Sequence, residues 1–134
     1  MKNQTLTLAT LVAAALFSLV PGHAADRDQV VKAMMRRKLA NAEKVLEGLS
    51  VNDFDMVTKH GNELIQFSKT AEWAVLKTPE YKLYSNDFRR NAERLVKQAK
   101  EKNIDGVALA YMDMTLTCVK CHQHVREIRM ARLD

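Results

Sequence analysis

Cys118 and Cys121 are the only cysteines of this 134-residue chain, and His122 directly follows the second in the stretch TCVKCHQHVREIR, Thr117 to Arg129. On a helix, positions i, i+3 and i+4 share one face. Two thiols one turn apart and an adjacent imidazole then project together. Three chemistries use such a set. The thiols can close a disulfide. With His122 and His124 they can contribute to a zinc site. Or they can form thioethers to the two vinyl groups of a haem while the imidazole takes the iron, the attachment spacing Cys-x-x-Cys-His. A redox disulfide of the thioredoxin kind wants a βαβ setting. Zinc wants four tetrahedral ligands, and these four residues crowd onto one short stretch with no second ligand pair elsewhere. The pattern favours one covalently bound haem c, with His122 as proximal iron ligand and one axial position beyond it. His124 lies about 200° from His122 around a helix, so it is expected on the surface.

The elements that must position this set read as helices. Apolar residues recur at helical spacing almost throughout, and no stretch alternates with period two. The first segment, roughly 26–49, aligns Val31, Met35, Leu39, Ala42, Leu46 and Leu49. The second, roughly 52–73, aligns Val57, His60, Leu64, Phe67 and Ala71. KTPEYKLYSND reads as a longer connection with a short helical turn at Pro79. The third, roughly 86–102, aligns Phe88, Ala92, Leu95 and Ala99; the fourth, roughly 106–131, aligns Val107, Tyr111, Met114, Cys118, Cys121, Val125 and Ile128 behind an Asp105 N-cap. Four amphipathic segments of matched length with short links predict an all-α fold, an antiparallel up-down four-helix bundle.

The start of the chain bears on compartment. Lys2 precedes an apolar run from Leu6 to Val20, then Pro21-Gly22 and small residues before a charged DRDQ. This is the pattern of a secretory signal peptide over 1–24, its apolar run shorter than the ~20 residues of a spanning helix. The expectation is an exported, periplasmic four-helix domain over 25–134, not an integral membrane protein after cleavage. The charge, 21 basic residues against 16 acidic, is too mild an excess to argue for nucleic acid.

A haem motif in the last of four helices, on an exported chain of this size, resembles the class II c-type cytochromes, the cytochrome c-prime family and its low-spin methionine-ligated relatives. The resemblance in sequence centres on CVKCHQHVR, where Cys118, Cys121 and His122 match the haem-binding residues. Arg126 matches the basic residue the family keeps near the proximal side; Val125 stands where the family usually has an aromatic. The resemblance implies haem packed into the bundle, a homodimer through helices one and two, and one of two functions. The low-spin relatives carry electrons to and from redox partner proteins, with a first-helix methionine as sixth ligand. The cytochromes c-prime bind nitric oxide or carbon monoxide at an open iron face. In neither does a protein group act as enzyme catalyst; the iron does the chemistry.

The sixth position has three candidates. Met35 shares the Val31–Leu39–Ala42 stripe and is the expected ligand; Met34 lies toward Val30, Lys38 and Val45; His60 sits between Val57 and Leu64. A thioether would raise the iron's potential and block gases. Arg36, Arg37 and Lys38 could pair with a haem propionate or form a solvated basic face. Trp73, Tyr81 and Tyr84 read as core packing.

Overall fold

The structure, a computed structural model, describes residues 23–131, with side chains over 26–131 apart from Glu72. The signal peptide expected over 1–24 lies, but for its last two residues, outside the described residues. Four helices follow in order: α1 His23–Ser50, α2 Phe54–Phe67, α3 Pro79–Lys100 and α4 Ile104–Met130, with a 3-10 turn at Ala71–Trp73. Among the described residues there is no strand, and no helix is long and apolar enough to cross a membrane. The chain divides between Val30 and Val31, and the packing below is that of Val31 onward.

Pairwise contacts run in opposite directions along neighbouring helices. Asn41 of α1 meets His60 of α2, and Gly48 meets Val57. Gly61 of α2 abuts Val96 of α3, and Ser68 bonds Arg89. Arg94 of α3 pairs with Asp113 of α4, and Asn91 bonds Thr117. Each pair is therefore antiparallel, and the four helices form an all-α bundle. The Gly61 contact is close because there is no side chain: a Cβ there would lie 2.7 Å from Val96 Cγ2.

Local chemistry sets the ends. Asp53 caps α2, its side chain accepting from the Met56 amide at 2.9 Å, after Asn52 turns the chain at φ 56°. The periodicity predicts α2 as far as Trp73, but the helix stops at Phe67, where Ser68 Oγ donates to the Ile65 carbonyl and Arg89 donates to the Ser68 carbonyl. With 14 residues α2 is the short helix of the four, so the lengths do not match as expected. Helix α3 begins seven residues before its expected start at 86. Thr78 is its N-cap, and Pro79 occupies the first turn, where a missing N–H costs nothing. Helix α4 is capped by Asn103, which accepts from the Gly106 amide, rather than by Asp105.

The core lies where the stripes meet: Val45, Val57, Leu64, Ala92, Leu95, Val107 and Ala110 are fully enclosed. The α1 stripe differs from the expected one. Met34, Lys38, Val45 and Gly48 are its buried positions, Met35, Ala42 and Leu49 are half-buried, and Leu39 and Leu46 are exposed. The inward face is thus turned from Met35 toward Met34.

Candidate functional site

Helix α4 carries the cysteine motif, and its buried side fixes the phase. Val107, Ala110, Met114 and Thr117 face inward. Cys118 and Cys121 follow on that side, half-buried against the core. Neither is in a disulfide. Burial holds the Cys121 thiol above its usual pKa, which keeps it protonated.

A cleft of about 300 Å³ opens between α1 and α4. Met35, Arg36, Lys38, Leu39 and Ala42 line it from α1; Met114, Thr115, Cys118 and His122 line it from α4; Phe88 closes its floor from α3. The lining is predominantly apolar with few polar groups, the usual character of a cofactor pocket. Met35 and His122 thus share one cavity from opposite helices, with Cys118 on the same wall. His122 is exposed on its outer side. Partial burial of the ring, then the positive charges of Lys38 and Arg126, push its pKa below the ordinary value of 6.5. At neutral pH the imidazole is therefore neutral, with a lone pair to offer. Arg126, one turn on, is exposed.

The other two candidates for the sixth position lie elsewhere. Met34 is enclosed at 7% exposure, and its sulfur accepts from the Thr70 hydroxyl at 3.8 Å. His60 faces α1, its Nδ1 2.8 Å from Asn41 Oδ1. Neither lines the cleft.

Lys38 is the residue that sequence reasoning placed least well. Grouped with Arg36 and Arg37 as a basic face, it is buried at 8% exposure. Its Nζ lies 4.5 Å from the Trp73 ring centroid and 4.2 Å from that of Phe88. None of the described ion pairs involves it. Desolvation, the largest effect, lowers its pKa, while the nearby Cys118 and Cys121 sulfurs oppose the shift. Its signal in the sequence is spacing alone: it stands four residues after Met34 and seven before Val45, on one helical face. Arg37, by contrast, stacks its guanidinium 4.9 Å above the Phe67 ring.

Trp73 and Phe88 stack with centroids 5.1 Å apart, and the Tyr81 hydroxyl donates to the Trp73 carbonyl. Trp73 and Tyr81 are core residues as expected, and Tyr84 packs edge-on to His124. The Trp73 indole nitrogen and the Ser85 hydroxyl are buried without a hydrogen-bond partner. His124 departs from its expected surface position: it is half-buried, its Nε2 2.8 Å from Thr78 Oγ1, tying α4 to the start of α3. Among the described residues no three or more His, Cys, Asp or Glu side chains cluster as a metal site. No protein-family model, curated protein or solved structure matches this chain.

Proposed function

We propose that this protein is an exported single-electron carrier holding one haem c through thioethers at Cys118 and Cys121, with His122 and Met35 as its axial ligands. The observation that carries the reading is the placement of Met35 and His122 on opposite helices of one apolar cleft, beside Cys118. The donor set fits such a group. A c-type haem asks for two thiols and one or two axial side chains, not a cluster of three or four metal ligands. One polar group fits as well: Lys38, buried and lining the cleft, has no carboxylate partner among the described ion pairs, and haem brings two carboxylates.

Haem, when bound, supplies a one-electron couple. The residues of this chain do the rest. The neutral imidazole of His122 offers its lone pair without first losing a proton. The Met35 thioether, half-buried on the facing helix, would bind the iron, which would favour its reduced form and keep gases off it. Phe88, Met114 and Ala42 give the cleft its apolar lining. Cytochrome c-prime-like gas binding is the reading that follows if Met35 does not ligate.

The test is a visible spectrum of protein expressed with a haem-attachment system, recorded oxidised, reduced and under carbon monoxide. A low-spin spectrum indifferent to carbon monoxide is expected, converting to a high-spin, carbon monoxide-sensitive one in Met35→Ala. A wild-type protein that binds carbon monoxide readily would replace electron transfer by gas binding. Absence of any covalent haem band would remove both.

A further inference from the structure

Six large apolar side chains lie open to solvent on the outer side of α1 and α4. Leu39 and Leu46 are 60% and 46% exposed; Leu109, Met112, Leu116 and Val119 are 68%, 58%, 53% and 48% exposed. The two leucines of α1 stand two turns apart. The four residues of α4 follow the 3-4-3 spacing of a coiled-coil seam, on the side of the helix opposite its buried stripe. The mouth of the cleft, bordered by Leu39 and the exposed Thr115, opens between the two rows.

The charges around this face are sorted. Helices α1 and α4 are antiparallel, since Met35 faces the level of His122 while Glu43 acts on Tyr111. The start of α1 therefore sits beside the end of α4. Exposed Lys32 and Arg36 join exposed Lys120 and Arg126 at one end; exposed Glu43 joins exposed Asp105 and Asp113 at the other. Glu127 is the exception at the basic end, and Asp113 is shared with Arg94. A face that is basic at one end, apolar in the middle and acidic at the other is complementary to itself under a two-fold rotation. Its size is adequate. Two helices about 9 Å apart, about 30–40 Å long at ~1.5 Å per residue, present a patch near the ~800 Å² per partner of a standard interface.

The geometry points to a homodimer in which two copies pack their α1/α4 faces together, basic end over acidic end, across the mouths of the two clefts. This differs from the pairing through the first two helices that the family resemblance implies. It goes beyond the redox reading and does not depend on it.

Sedimentation velocity of the purified full chain, followed by ultraviolet absorbance, tests it with or without haem. Wild type is expected to dimerise, and Leu116→Glu to weaken the dimer at least tenfold with an unchanged far-ultraviolet circular dichroism spectrum. A second pair of variants stands even if Leu116→Glu misfolds. Lys32→Glu with Lys120→Glu makes both ends acidic; Glu43→Lys with Asp105→Lys makes both basic. Each is expected to be monomeric alone, and the two mixed are expected to associate. A wild type that stays monomeric at high concentration would overturn the proposal. So would a dimer that ignores Leu116→Glu and breaks on substitutions along α2, or a mixture of the two charge variants that stays monomeric.

Discussion

The α2/α3 side of the bundle and the α1/α4 side are built to different ends. Between α2 and α3, Val57, Leu64, Ala92 and Leu95 are fully enclosed, and Gly61 lets the helices touch. Val57, Leu64 and Leu95 each contribute about 1.5–3 kcal/mol by leaving water. Between α1 and α4, Met35, Ala42 and Cys118 are only half-buried around a cleft, and a lysine amine is buried nearby with aromatic faces for company. The first side is sealed by its own residues and carries stability. The second spends burial on side chains that can react or ligate. Both sides supply core, since Val45, Val107, Ala110 and Met114 are also enclosed, but only the α1/α4 side leaves a cleft lined by side chains able to ligate.

The largest expected effect removes the chemistry and spares the sealed side. Cys118→Ala with Cys121→Ala should abolish haem retained on a denaturing gel, while amide exchange protection in α2 and α3 stays within twofold of wild type. If protection collapsed there too, the two sides would be one unit. Next, Leu95→Ala should cost about 2–5 kcal/mol by chemical denaturation, as transfer and cavity losses add at a fully enclosed site. Gly61→Ala should cost about 1–3 kcal/mol, because its Cβ would press on Val96 and Leu95.

On the cleft side the sign reverses. Lys38→Met in haem-free protein should stabilise by about 1–2 kcal/mol, since desolvation of the ammonium outweighs its attraction to two rings. Its folded pKa lies below the 10.5 of the unfolded chain. The unfolded state therefore binds more protons between those two values, so wild-type stability climbs as pH rises through that window. Lys38→Met should flatten the climb, read as thermal midpoints in alkaline buffers. The smallest effect is at the cap: Asn103→Ala should cost about 1 kcal/mol through the lost bond to the Gly106 amide.

The division between the two sides was only partly legible in the sequence. Cys118, Cys121 and His122 were readable because their i, i+3 and i+4 spacing puts them on one side of a helix whatever the packing. The stripe of α3 was readable because apolar and charged residues separate cleanly at helical period; α4 carries a second apolar row, Leu109, Met112, Leu116 and Val119, yet its inward stripe still follows from Val107, Met114 and the cysteine motif. The phase of α1 was not. Adjacent methionines at 34 and 35 fit two stripes equally, and Lys38 makes the truly buried stripe look polar. Only the rings of Trp73 and Phe88, distant in sequence, decide that Lys38 goes inside. The helical turn expected at Pro79 within a connection is instead the first turn of α3 itself. The residue that settles this is Thr78, whose hydroxyl accepts from the Tyr81 amide.

The turn between α3 and α4 is short: Lys102 takes a left-handed φ of 54°, and the Asn103 amide donates to the Gln98 carbonyl at 3.0 Å. Cys118 lies fifteen residues beyond that cap on an unbroken helix. Angle accumulates along such a rod at about 100° per residue. One residue inserted after the cap would swing Cys118 and His122 out of the cleft while leaving both present. Seven would restore the angle to within about 20° and displace the set by about 10 Å. The site is therefore stored as a phase, and changes in chain length there are admissible only in steps that the helix itself dictates.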